Sequence, residues 1–169
     1  LEAHGIAFRR LQAAWPAAPV QAFRSEAPGF ASTSVEGRQR LTVQGQWKDE
    51  PRDVGAGALF VPIDQPLARL VLALLEPQAP DSLAAWGGLN NAFERKEYME
   101  DYVAEQVARD MLQADPALRA EFERRLKTDP TFAADAQARL EFFYRRHSAW
   151  DERYGLYPVL RLEQPPPAQ

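Results

Sequence analysis

Proline residues mark the start of several helices in this 169-residue sequence, and they limit the folds that the chain can adopt. Asp115-Pro116 and Asp129-Pro130 each join a residue that caps a helix N-terminus to a proline, whose fixed φ suits the first helical turn. These two steps predict helices over 116–127 and 130–147. We therefore expect the second half of the chain to form separate short helices.

Two further prolines bracket a short apolar helix. Pro66 follows the capping candidate Asp64, and Pro77 cannot continue a helix, so a helix is predicted over 66–76. Apolar residues three or four positions apart form the side that is expected to face the core. They are Leu67, Leu70, Val71, Leu74 and Leu75.

An amphipathic helix is predicted over 92–112, because apolar residues recur there every three or four positions while acidic residues fill much of the remaining surface. The residues predicted to face the core are Met99, Tyr102, Val103, Val107 and Met111.

Residues 1–63 predict strands and turns. Apolar and polar residues alternate over 38–47, which is the period of two typical of a half-buried strand. Gly and Asp residues over 53–57 predict a turn, and the proline-rich segment 15–19 predicts a break between strands. Other extended segments are predicted over 6–11, 20–24 and 58–63.

These elements together predict an α+β fold, in which a small, mostly antiparallel sheet from the N-terminal third packs against helices that dominate the rest. We expect a single domain over 1–163. It is predicted to be strand-rich over 1–63, helical over 64–155 and extended again over 156–162, where the chain can return to the sheet. Residues 164–169 predict a polyproline tail.

Composition excludes several classes of protein. The net charge is -4 and the basic residues are dispersed among acids, so no nucleic-acid partner is expected. The chain contains no cysteine, which removes disulfides, thiolate nucleophiles and cysteine-rich zinc sites. Its longest apolar run, over 70–75, is far shorter than the roughly 20 residues that span a bilayer.

No catalytic, cofactor-binding or metal-binding residue is predicted in this chain. A catalytic zinc needs about three protein ligands, and the two histidines, His4 and His147, stand far apart in the sequence. We interpret His4 as a helix-end residue and His147 as a partner for the negative end of a helix. A row of carboxylates is predicted to be solvated, with a site for calcium or a basic peptide as the alternative: Glu94, Glu97, Asp101 and Glu105.

Aromatic residues near the C-terminus predict either core packing or a ligand groove. Phe142, Phe143 and Tyr144 are consecutive, so they leave a helix in different directions, and one ring is expected near the surface or against another domain. In the groove alternative, Trp86 and Trp150 with nearby tyrosines would form the binding platform.

The block over 59–102 resembles the non-catalytic region that lies C-terminal to the peptidase domain in bacterial M14-type zinc carboxypeptidase-like proteins. Similar sequences place aromatic residues directly after Trp86, where this chain has Gly87-Gly88. The resemblance continues through most of 59–162. Its most specific parts are Gln65-Pro66, Leu74-Leu75-Glu76-Pro77, Asp81-Ser82-Leu83 and Trp86.

The resemblance implies a non-catalytic C-terminal accessory domain that stabilises an upstream peptidase domain of the same chain or shapes access to its cleft. It places zinc, the His-x-x-Glu ligands and the general base in that upstream domain, and it implies a periplasmic or secreted protein. The upstream domain is the expected partner, with a homo-oligomer as a second possibility. Two alternatives stay open: an autonomous peptide- or glycan-binding module, and an enzyme whose carboxylates converge in the fold.

Overall fold

The computed structural model describes residues 1–94 and 99–167. The chain divides into two compact units. Unit 1 comprises Leu1–Glu94 and Arg153–Gln169, and unit 2 comprises Arg95–Glu152. Unit 1 contains the strands of the described residues and one α-helix, whereas unit 2 is helical. The predicted α+β fold class is therefore confirmed.

The strands of unit 1 are all paired antiparallel. The longest of them, β3, lies between β4 and β7 in a three-stranded sheet, while β1 pairs with β6 and β2 with β5. The predicted return of 156–162 to the sheet is confirmed by β7. The strands are β1 (Arg9–Arg10), β2 (Trp15–Ala18), β3 (Gln21–Val35), β4 (Arg38–Asp49), β5 (Arg52–Val54), β6 (Leu59–Phe60) and β7 (Leu156–Arg161).

Three strand predictions need correction. The segment predicted over 20–24 continues to Val35, because β3 pairs with β4 along its length, and this partner outweighs the weak strand preference of Pro28 and Gly29. Residues 15–19, predicted as a break, contain β2. The turn predicted over 53–57 starts later, since its first two residues end β5.

The core of unit 1 lies on one face of the three-stranded sheet. Phe23 from β3 meets Tyr157 from β7 edge to face, with ring centroids 6.3 Å apart. Phe93 stacks on the same tyrosine at 6.3 Å. Leu41 and Val43 from β4 and Ala84 complete the buried cluster. The block over 59–102 thus supplies part of this core.

Helix α1 (Ala68–Leu75) confirms the helix between Pro66 and Pro77. The side of α1 that was predicted to face the core is covered, since Val71 is buried there and Leu72, outside that side, is exposed. The other predicted core residues are half-buried: Leu67, Leu70, Leu74 and Leu75. The predicted cap is wrong. The N-cap position is Leu67, without a side-chain hydrogen bond, because the chain turns into the helix three residues later than Asp64.

The described part of unit 2, residues 99–152, contains four helices: α2 (Asp101–Ala114), α3 (Pro116–Thr128), α4 (Pro130–Ala134) and α5 (Ala136–Tyr144). The predicted caps of α3 and α4 are confirmed, since the Asp115 and Asp129 carboxylates accept backbone N–H bonds. The single helix predicted over 130–147 is wrong. Asp135 accepts from the N–H groups of Gln137 and Ala138 and starts a new helix.

Helix α2 starts at Asp101, later than predicted, and residues 95–98 lie outside the described residues. Its buried positions are Ala104 and Ala108, whereas Tyr102 is 74% exposed and Val103 is also exposed. The predicted core side is therefore wrong at these two residues. Alanines allow neighbouring helices to approach closely, so the buried side of α2 follows its small residues.

The core of unit 2 is a cluster of phenylalanines. Phe122 from α3 lies with its ring centroid 5.4 Å from Phe142 and 4.7 Å from Phe143. On another side of α5, Tyr144 packs edge to face on Trp150 at 5.2 Å. All three consecutive rings are buried, so the prediction that one ring lies near the surface is wrong. Other side chains contact α5 on more than one side, so rings that leave the helix in different directions are all buried.

Candidate functional site

An open groove with a volume of about 640 Å³ lies in unit 1, at one end of the three-stranded sheet. Gln21, the first residue of β3, pairs with Asp49 at the end of β4 and with Arg161 at the end of β7. The sheet register therefore brings three chain segments to one side of the groove. Residues that follow β7 line it as well: Leu162, Glu163, Gln164, Pro165 and Pro167.

Tryptophan and proline side chains supply the apolar part of the groove. Trp15, the first residue of β2, is half-buried, and four prolines from three different segments also line the groove. Proline has a fixed φ and no N–H group, so these walls are stiff and offer few backbone donors. The four are Pro19, Pro51, Pro165 and Pro167.

The C-terminal segment is held against unit 1 by Arg9. The Arg9 Nη2 group donates a hydrogen bond of 2.7 Å to the carbonyl oxygen of Pro166. The same guanidinium lies 4.9 Å from the ring centroid of Phe60, and Pro166 is buried. The predicted polyproline tail is thus docked over 165–167, and residues 168–169 lie outside the described residues.

Glu50, at the groove, is neutralised within the protein. Its carboxylate accepts bonds of 2.9 and 2.7 Å from Nε and Nη2 of Arg24, and one of 2.8 Å from Arg52. The Arg24 hydrogen bonds lower the pKa of Glu50, partial burial opposes them, and the charges of both arginines add to the lowering. This direction is opposite to that expected of a carboxyl acting as a general acid.

Arg161, the cation that lines the groove, is neutralised as well. Its guanidinium pairs with both carboxylate oxygens of Glu76, with an Nε to Oε1 distance of 3.1 Å. It also lies 4.0 Å from the ring centroid of Trp47. The remaining charged lining residues are Asp49, which accepts a 3.1 Å bond from Gln21 Nε2, and Glu163.

Neither histidine lines the groove. His4 ends a short 3-10 helix over Glu2–His4 and is exposed, which confirms its interpretation as a helix-end residue. His147 lies beyond the end of α5, and its Nδ1 accepts a 3.1 Å bond from the Ala149 N–H. The prediction that it is the last residue of a helix is wrong, since α5 ends at Tyr144.

The predicted carboxylate row is engaged in ordinary surface contacts. Asp101 accepts from Gln137 Nε2 at 3.0 Å, and Glu105 pairs with Arg109 at 3.0 Å. Glu94 is exposed, and Glu97 lies outside the described residues. Within 1–94 and 99–167, no group of three or more His, Cys, Asp or Glu side chains is placed to hold a metal ion.

Each tryptophan of the predicted aromatic platform is half-buried and packs against neighbouring side chains. The Arg40 guanidinium lies 4.1 Å from the ring centroid of Trp86, whose Nε1 donates to Asp81. Trp150 packs against Tyr144 and lies 5.1 Å from the Arg145 guanidinium. Trp86 belongs to unit 1 and Trp150 to unit 2, so neither unit contains the predicted pair.

The groove was not predicted from the sequence. Proline density near residue 19 and after residue 164 was its available signal, but the two segments are far apart along the chain. Among the described residues, no helix is both long enough and apolar enough to cross a bilayer. Comparison of the chain with protein-family models, curated proteins and solved structures finds no match.

Proposed function

We propose that this chain is a non-catalytic accessory domain of an M14-type zinc carboxypeptidase-like protein and that it packs against the peptidase domain. The observation that carries the proposal is the role of the resemblance block in unit 1. Ser82, Ala84 and Phe93 are fully buried, and Pro77 is buried as well. Residues that carry the resemblance, or lie beside those that do, therefore build a scaffold.

The same block leaves large apolar side chains at the surface of unit 1. They are 44–51% exposed, and a domain that packs on another protein surface needs apolar contact area of this kind. In the proposed function these side chains contact the peptidase domain. They are Leu59, Ile63, Leu72 and Leu83.

Zinc and the catalytic residues belong, in this proposal, to the peptidase domain, and a periplasmic or secreted location follows from the same resemblance. The accessory domain acts through its fold. It stabilises the peptidase domain or limits access to the cleft, and a second copy of the chain is the alternative partner for the exposed apolar residues.

The proposal is tested in the full-length protein made from the native reading frame. The double variant Ile63→Gln/Leu72→Gln is expected to lower the melting temperature of the peptidase domain by about 2–4 °C, the shift that roughly 1 kcal/mol produces in a domain of about 150–250 residues. The control Ser32→Gln/Thr33→Gln changes two exposed polar residues of β3 and is expected to leave it unchanged.

An unchanged melting temperature in both variants would contradict the proposal. Sedimentation of the 169-residue chain tests the alternative, in which a second copy of the chain is the partner. A concentration-dependent mass that Ile63→Gln/Leu72→Gln abolishes would assign these side chains to a homo-oligomer.

A further inference from the structure

We infer that the groove at the end of the β4-β3-β7 sheet binds an extended peptide segment that carries lysine or arginine. The inference goes beyond the accessory role and does not depend on it, because the groove is built entirely within unit 1. Its volume of about 640 Å³ lies within the range of roughly 300–1,000 Å³ typical of ligand sites.

The charges of the groove favour a cationic ligand. Glu50 is paired with Arg24 and Arg52, and Arg161 is paired with Glu76, so these five side chains are already engaged in ion pairs. Asp49 and Glu163 remain. Within the described residues neither has an ion-pair partner, and both are exposed at the groove. A ligand therefore meets two carboxylates that the protein itself does not neutralise.

The apolar walls favour a peptide over a free amine. Trp15 can accept a lysine or arginine side chain on its ring face, the strongest of the aromatic partners for a cation. The proline walls suit a ligand in an extended or polyproline conformation, because they offer flat apolar surface and few backbone donors. A chain of residues can place apolar groups on these walls and cations on the carboxylates.

Arg9 acts as a positioning residue for this site. It does not line the groove, but its hydrogen bond to the Pro166 carbonyl holds the segment that contributes Glu163, Pro165 and Pro167. Loss of this bond leaves Asp49 and Trp15 in place and frees one wall. The ligand should then bind more weakly, although the groove keeps one of its two carboxylates.

The test is fluorescence anisotropy of a labelled peptide of alternating alanine and arginine with the 169-residue chain, in low-salt and high-salt buffer. The matched probe carries neutral citrulline in place of arginine. We expect the arginine peptide to bind more tightly than the citrulline peptide and to weaken with salt. Equal binding of the two probes would overturn the inference.

The variant Asp49→Asn/Glu163→Gln is expected to weaken binding of the arginine peptide about tenfold, because it removes two solvent-exposed ion pairs with the peptide. The control Glu26→Gln/Glu36→Gln removes two exposed carboxylates of unit 1 outside the groove and should leave the affinity unchanged. Equal losses in both variants would show only general attraction to an acidic protein and would overturn the site.

Arg9→Gln separates the proposed site from general electrostatic attraction, because the two predict changes of binding in opposite directions. It removes a positive charge, so non-specific attraction of a cationic peptide would increase. In the proposed site, binding weakens instead. Tighter or unchanged binding, with circular dichroism equal to that of the wild type, would overturn the role of residues 162–167 as a wall.

Discussion

At the residue scale, the half-buried carboxylate of Glu50 couples stability to pH. Its pKa lies below the ordinary value of 4.5 in the folded chain. The stabilisation it supplies is therefore fully present above that value and is lost as the pH falls through the folded pKa. We expect Glu50→Gln to lower the free energy of unfolding by about 1 kcal/mol at neutral pH, since part of the pairing is screened by solvent.

Urea unfolding at neutral and acid pH measures this effect. The difference between wild type and Glu50→Gln should shrink as the pH falls below 4.5. Glu105→Gln is the matched control, because its pair with Arg109 lies on an exposed helix surface and contributes roughly 0.3–0.5 kcal/mol. A difference for Glu50→Gln that stays constant with pH would contradict this account of the cluster.

Gly45 lies at a position where the fold requires glycine, although the local sequence gives no sign of this requirement. A Cβ atom at this position would lie 2.2 Å from the Arg24 carbonyl oxygen and 2.9 Å from the Phe23 ring. We expect Gly45→Ala to destabilise the chain by at least roughly 1–3 kcal/mol in urea unfolding. Gly29→Ala in β3 is the control, since its Cβ would have an ordinary contact of 3.6 Å, and a loss there as large would contradict the steric explanation.

The sequence predicted Gly45 only as one position of an alternating strand. The close approach arises where the pairing of β3 with β4 shifts register between Ser25 and Ala27, about 20 residues earlier in the chain. Gly87 is a second case. Its φ is +73° and an added Cβ would lie 2.3 Å from the Gln39 carbonyl oxygen, so this fold has no room for a side chain at this position.

At the scale of elements, helix starts marked by proline were predictable and the start of α5 was not. Asp115-Pro116 and Asp129-Pro130 carry two signals each, whereas Asp135 is followed by alanine. The extent of β3 also depends on its partner strands, which local preferences do not specify. Likewise, the buried side of α2 follows two alanines that a search for large apolar residues passes over.

Asp135→Ala tests whether this cap separates α4 from α5. The carboxylate accepts bonds of 2.9 and 3.1 Å from two backbone N–H groups, and loss of such a cap costs about 1 kcal/mol. We expect a lower midpoint of thermal unfolding by circular dichroism. Glu123→Ala on the exposed side of α3 is the control, and an equal shift in both would contradict the capping role.

At the scale of the whole molecule, the two units have separate hydrophobic clusters. A single domain over 1–163 stays a prediction. Phe143→Ala removes a buried ring of unit 2 and should cost roughly 3–5 kcal/mol. In hydrogen exchange, we expect amides of α2, α3 and α5 to lose more protection than those of β3. Tyr102→Ala, at a 74% exposed ring, is the control.

Greater loss of protection in β3 than in α5 would contradict the division of the core.

The groove also belongs to this scale. Trp15, Asp49 and Glu163 are distant in sequence. Their segments are brought together by the pairing of β2 with β5, the antiparallel register of β3 with β4 and β7, and the docked C-terminal segment. No local pattern encodes that convergence.

The proposed accessory role requires a zinc-peptidase domain upstream of this chain in its native reading frame. The most direct measurement is to determine the sequence upstream of Leu1. The account predicts a His-x-x-Glu pair, a second histidine roughly a hundred or more residues later and a glutamate base, as three protein ligands and an open position require of a catalytic zinc. An upstream region without these residues, or a start codon directly before Leu1, would contradict it.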